Sequence, residues 1–274
     1  MIKVYVPSKQ PLKEVYAKSK HLAIVAHADD IEMLALRPIT QRSQGFFGIV
    51  MGDNKGRPLK PEYKKVSLSK VQNIRESEQE KVARLAKYRG VAFLRLKSKD
   101  IKNVRKKEQV VKAIYELIKD MPLKEVYTHS LFDNHPTHVA VAEITIAALK
   151  KLPLAKRPKA VYGMEVWGSL EWLPDRYKVA FDVSGSVAFI KKLLSFYKSQ
   201  SYKGHRYDEA LLARLKANAM FGKTHNFSTK KALIYGLDLL PLLKKGSPGC
   251  KKYIEGIIEE FLKEKKNNLS FNKN

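Results

Sequence analysis

Cysteine is almost absent: the chain of 274 residues has one, Cys250. A single thiol closes no internal disulfide and builds no cysteine-rich metal site, which fits a reducing compartment. Long apolar runs are missing too. Nowhere do about 18 apolar residues follow one another as a spanning helix requires. The opening MIKVYVPSKQPLKEVY has no uninterrupted apolar segment of the kind a secretion signal carries. The expected location is therefore the cytoplasm. Acidic residues are few beside basic ones, 27 Asp and Glu against 53 Lys and Arg, and the formal net charge is +26. Such a charge attracts anions, so nucleic acid has to be considered as a partner. The basic residues are spread along the chain, however, with no detached basic arm. The densest stretch, KGRPLKPEYKKVSLSK at 55–70, is better explained as a solvated face than as an anion-binding surface.

What is present is a recurring order. HLAIVAH (21–27), GFFGIVM (45–51), VAFLRL (91–96), EVYTHS (125–130) and AVYGMEVW (160–167) read as strands. Between them, 67–90 carries Val71, Ile74, Val82, Leu85 and Ala86 at helical spacing with Gly90 as its stop, and 104–121 carries Val111, Ile114, Tyr115 and Ile118. Alternating strands and helices predict an α/β fold: a doubly wound, mostly parallel, Rossmann-like sheet with helices on both faces. With 44% hydrophobic residues the chain can bury a full core. A single unit over 1–274 is expected, with an N-terminal extension at 1–20 and a terminal helix plus mobile tail at 251–274. That helix, IEGIIEEFLKEKK, is expected to pack on the body or to mediate self-association into a homo-oligomer.

In such folds ligands bind beyond the carboxyl ends of the strands, where the strand order reverses. The first strand ends in AHADD. A dinucleotide site would place G-x-G-x-x-G there and a nucleotide triphosphatase a P-loop; the chain has neither, and acids at that turn repel phosphate. They attract cations instead. Taken alone, Asp29 and Asp30 are better explained as caps of the following helix. The balance changes after the fourth strand, in LFDNHPTHVAVAEITIAALKK (131–151), where Pro136 suits the first position of a helix and His135 and His138 sit at its start. His27, Asp30 and His138 then form a set of two histidines and one carboxylate with positions left for water. This is the donor count of a catalytic zinc site and also suits non-haem iron. His21, His129, His205 and His225 have no partner at ligand spacing and read as surface or packing residues. Trp167 and Trp172 are candidates both for a sugar-lined pocket and for the core.

AHADD paired with HPTH, in that order, resembles the PIG-L/LmbE family of zinc-dependent N-deacetylases, whose usual motifs are A-H-[PA]-D-D-E and H-P-D-H. IRESEQEKVARLAKYRGV (74–91), FDVSGSVAFIKKLLSFYKSQ (181–200) and AMFGKTHNFSTKKALIYG (219–236) extend the likeness from about residue 21 to 240. The resemblance implies removal of an N-acetyl group from an N-acetylglucosamine-type conjugate, giving acetate and an amine. It implies zinc at His27, Asp30 and His138, with Asp29 as general base and a protonated His135 stabilising the oxyanion. Arg75 would contact substrate hydroxyls or an anionic substituent, against the alternative of a surface salt bridge with Glu78. Thr137 stands where the family has an acid, and Asp133 is expected to replace that acid in part, on the substrate side. The implied partner is a small amino-sugar conjugate, which the +26 charge suggests is anionic. The alternative carried beside it is an anion- or nucleic-acid-binding protein on a catalytically impaired fold of this kind.

Overall fold

The computed structural model describes residues 2–41, 45–56, 61–201, 206–222 and 229–269. Eight strands, β1 (Lys3–Tyr5), β2 (His21–Val25), β3 (Phe46–Gly52), β4 (Gly90–Leu96), β5 (Glu125–His129), β6 (Ala160–Met164), β7 (Lys178–Asp182) and β8 (Leu233–Asp238), form one sheet. Their order is β1-β4-β3-β2-β5-β6-β8-β7. The five central strands are parallel, while β1 pairs antiparallel with β4 at one edge, and at the other side β8 pairs antiparallel with both β6 and the edge strand β7. From β2 the chain winds outward through β3 and β4 on one side and through β5 and β6 on the other. The reversal therefore lies between β2 and β5, where a doubly wound sheet opens a crevice.

The sheet is apolar on both faces because both are covered. Leu22 and Ile24 point to one side, into a cluster with Phe47, Ile49, Val111, Ile114, Val141 and Ile257. Ala23 and Val25 point to the other, with Val50, Ile31, Leu34, Val82, Ile190 and Leu211. This alternation along one strand feeds two layers of helices, which is why the central strands read as continuous apolar runs rather than as alternating ones. The helices Lys107–Ile118, Pro136–Lys150 and Cys250–Leu269 supply the first layer, and Leu68–Leu85, Val187–Leu194 and Tyr207–Phe221 the second.

The predicted strands and helices are found with their ends moved by a few residues. The expected N-terminal extension is instead part of the sheet: Lys3–Tyr5 pairs with Val91–Phe93, and Lys3 Nζ lies 3.0 Å from the buried Glu76 carboxylate. Three residues are too few to carry a period, so the pattern gave no sign of it. Of the expected mobile tail, NNLSFNKN at 267–274, the first three residues continue the helix Cys250–Leu269 and the rest lies outside the described residues. Among the described residues no helix is long and apolar enough to cross a membrane.

Gly52 ends β3 against the end of β2. Its N–H donates to Ala26 O at 2.8 Å, and a Cβ there would lie 2.4 Å from the same oxygen. Gly52→Ala is therefore expected to push the two strand ends apart beside His27, costing about 1–3 kcal/mol. Thermal unfolding with and without added zinc measures it: a lower midpoint and a smaller zinc-induced rise are expected.

Candidate functional site

The turn after β2 does two unusual things. Asp29 adopts φ +99°, a region non-glycine residues avoid, and its side chain makes no capping hydrogen bond to the helix that follows. The turn is held by amides from distant segments. Ala28 N–H donates to Asn54 Oδ1 at 2.9 Å, Ala28 O accepts from Gln200 Nε2 at 3.0 Å, and Asp29 N–H reaches Gln79 Oε1 at 3.4 Å. Asn54, Gln79 and Gln200 are all buried. Asp30, instead of capping through a helix N–H, accepts from the backbone N–H of His27 at 2.8 Å with Oδ2.

That oxygen gathers the cluster. His27 Nδ1 lies 3.2 Å from Asp30 Oδ2, His138 Nε2 lies 3.5 Å from it, and the two ring nitrogens are 3.4 Å apart. A tetrahedral ion with bonds of 2.0–2.1 Å separates its ligand atoms by about 3.3 Å, so the three donors already describe one face of such a polyhedron. They fit a divalent ion of the zinc or iron type by geometry and by donor chemistry. A second grouping, His129, Asp133 and His138, is also compact. The backbone competes for its donors, however: His129 Nε2 accepts the Ala26 N–H at 2.9 Å, and both Asp133 oxygens accept backbone N–H groups. The first set is the better cation site.

The electrostatics follow from burial among like and unlike charges. Burial alone would raise the Asp30 carboxyl, but His138, then His129 and His27, hold it well below the usual carboxylate range. His138 is raised despite burial because Asp30 and Asp133 face it; a bound cation would take the place of that proton. His129 is pushed down to about 4 by burial and by His138, which keeps it neutral and able to accept from Ala26. Asp29, half-buried as a residue, has its carboxyl pushed well above the usual range by desolvation first and then by Asp30, with Arg75 opposing.

Two sequence expectations need correction. Asp133 was expected on the substrate side, but its side chain is fully buried. One oxygen accepts the His135 N–H at 2.8 Å and lies 3.3 Å from His138 Nδ1, and the other accepts the Trp167 N–H at 3.2 Å. Asp133 thus orients a candidate ligand from behind and has no surface for a substrate. Asp133→Asn is expected to weaken zinc affinity by about 10–100-fold, measurable by chelator competition. The second correction concerns His135, expected to be protonated. Burial lowers it, and His138 and His27 lower it further. Thr137, in the position of the usual acid, is buried and bonded to Ser98 Oγ at 2.6 Å, so no carboxylate stands there to oppose this.

Arg75 is buried, not on the surface. Nη1 donates to Asn54 O at 3.1 Å, and Asp29 is the acid whose charge acts on it most, ahead of Glu78. Glu78 bonds instead to Ser199 N–H at 2.8 Å and to Ser199 Oγ at 2.5 Å. Sequence reasoning missed His129, Glu32, Asn54, Gln79 and Gln200. Glu32 lies behind the turn, accepts from Tyr88, Tyr197 and Gln79, and is raised to about 7 by burial. One trace of this was visible: the helix Leu68–Leu85 buries Gln72, Arg75, Glu76, Glu78 and Gln79 beside only three apolar residues, an inner face too polar for a core. His205 and His225 lie outside the described residues.

No curated protein sequence matches the chain. Among solved structures, the N,N'-diacetylchitobiose deacetylase of Pyrococcus horikoshii is similar with a TM-score of 0.60 at 15% identity, covering 84% of this chain and 88% of that one. The 4-carboxy-2-hydroxymuconate hydratase GalB of Pseudomonas putida KT2440 is similar with 0.59 at 12% identity, covering 81% and 97%. The zinc-inhibited form of the teicoplanin deacetylase Orf2 is similar with 0.55 at 14% identity, covering 80% and 97%. At these identities the likeness is one of fold, and the fold hosts more than one reaction. The sequence profile of the PIG-L family, described as GlcNAc-PI de-N-acetylase, matches residues 22–149. That segment contains every donor atom of the cluster, so the three converging side chains belong to a PIG-L domain spanning residues 22–149.

Proposed function

We propose that the protein is a metal-dependent hydrolase that removes the acetyl group from an N-acetylglucosamine-type conjugate, releasing acetate and a free amine. The observation that carries this reading is the spacing of His27 Nδ1, Asp30 Oδ2 and His138 Nε2 as one face of a tetrahedron, with the unligated Asp29 beside it. The family's description and the deacetylases among the structural neighbours support the reaction class.

In this reading His27, Asp30 and His138 hold the ion, zinc being the first choice and iron the second. When bound, such an ion acidifies water and polarises a carbonyl oxygen. Asp29 takes the proton of the attacking water onto its carboxylate. The same proton then serves the departing nitrogen, which cannot leave as an anion. His135, which precedes the helix that carries His138, donates a hydrogen bond toward the developing oxyanion. Arg75 sits beside Asp29 and limits how far its affinity for protons rises, while offering a charge to substrate oxygens.

The test combines metal analysis of the purified protein with an amine-detecting assay over a panel of N-acetylglucosaminides. Amine appearing with at least one glycoside, and abolished by a chelator, is the expected result. A full zinc load without amine release across the panel would sink the reading. It would favour the anion-binding alternative that the +26 charge suggests, whose mark is polyanion binding with a steep salt slope.

A further inference from the structure

Trp167 is exposed over 45% of its surface, although it follows directly on the buried segment Met164–Val166. An indole open to water would be free to turn inward if its backbone were loose. Here the backbone is clamped from three sides. Its N–H donates to Asp133 Oδ2 at 3.2 Å, its carbonyl accepts from Asn134 Nδ2 at 3.4 Å, and the preceding Val166 carbonyl accepts from Arg214. Gly168 packs so closely on the 131–135 loop that a Cβ would lie 2.9 Å from Phe132 O. The carboxylate holding Trp167 is the one that lies 3.3 Å from His138. The backbone that carries the indole is therefore tied, through one side chain, to a candidate metal ligand.

Its neighbour is Tyr207, whose ring meets it edge to face at 5.1 Å between centroids and 84° between planes. Tyr207 comes from the start of a different helix. Trp167 is bonded to Asp133 and Asn134, the two residues before His135, so the aromatic pair stands beside the loop that carries this candidate catalytic residue. A flat, half-open indole face beside a phenol hydroxyl presents an apolar plane with a polar edge. A pyranose matches that surface, because its axial C–H groups form an apolar face and its hydroxyls ring the edge. An acyclic acetamide or a peptide has no such rigid face.

We infer that Trp167, with Tyr207, forms a carbohydrate platform at the mouth of the site, on which the pyranose bearing the acetamide stacks. This rests on the deacetylase reading and deepens it: the platform selects sugar acetamides over other acetamides. Trp167 is a binding residue here, and the proton transfers are left to Asp29.

The experiment has two arms. In the first, zinc-loaded Asp29→Asn/Trp172→Phe protein, in which Trp167 is the sole tryptophan, is titrated with methyl N-acetyl-β-glucosaminide and with N-acetylethanolamine. Saturable change in indole emission with the glycoside, and none with the acyclic amide, is expected. In the second, Trp167→Ala is expected to raise KM for the glycoside by about tenfold or more with little change in kcat. Trp167→Phe should recover part of the loss, and kcat/KM for the acyclic amide should be unchanged. Wild-type turnover of the glycoside with the same KM in Trp167→Ala overturns the platform and leaves the deacetylase reading standing. Saturable emission change without turnover in the wild type supports the platform and defeats the reading. Silence of the indole toward the glycoside at every concentration, without turnover, overturns both.

Discussion

Asp29→Asn is expected to lower amine release by about a thousandfold while the bound zinc stays equimolar with the chain. The carboxamide has the size of the acid but cannot take a proton from water. Nor is the side chain one of the three converging donors, which belong to His27, Asp30 and His138. The backbone favours this test as well. Position 29 sits at φ +99°, and asparagine is among the non-glycine residues that best accept positive φ, so the turn should survive the exchange. Steady-state kinetics and metal analysis on the same preparation separate the outcomes. Full activity would remove Asp29 from the chemistry, and loss of zinc would show that it supports the ion.

Asp30→Asn should act on the metal first. Its Oδ2 lies within 3.5 Å of ring nitrogens from His27, His129 and His138, so one buried negative charge is shared by three imidazoles. Removing it takes away a ligand and leaves those rings crowded with one counter-charge fewer. Apparent zinc affinity is expected to fall by more than about a hundredfold, beyond what loss of an orienting partner alone would cause. The zinc-induced rise in unfolding temperature should vanish with it, since only an ion that binds the folded state stabilises it. Chelator competition and thermal unfolding read the two effects independently. An unchanged affinity would mean that the ion is held elsewhere, with the His129, Asp133 and His138 grouping the next place to look.

The parts of this site legible in the sequence were those encoded by short-range pattern. His27, Asp29 and Asp30 stand out because they interrupt a strand buried on both faces, and Pro136 marks where the second turn becomes a helix. The doubly wound order then brings the two turns to adjacent strand ends, β2 and β5. The parts that were not legible depend on partners far along the chain. His129 looked like a packing histidine because its role, accepting the Ala26 N–H, is created by a neighbouring strand 103 residues away. Asp133 was assigned to the wrong side because sequence spacing does not say which way a loop carboxylate turns. The clamps on the turn, Asn54, Gln79 and Gln200, are ordinary amides whose meaning comes only from where the chain brings them. Strands β1, β7 and β8 are short or antiparallel additions outside the parallel core, invisible to a pattern tuned to buried parallel strands.

The clamping of the 27–30 turn bears on the order in which the molecule matures. All the donors for the ion have left the ribosome once His138 is clear, but Gln200, which pins Ala28, follows roughly sixty residues later. Until that amide docks, the unusual backbone at Asp29 lacks one of its restraints. A nascent chain can therefore offer metal-binding side chains before it offers a finished reaction centre, and an ion captured early would sit in a pocket whose base is not yet aimed.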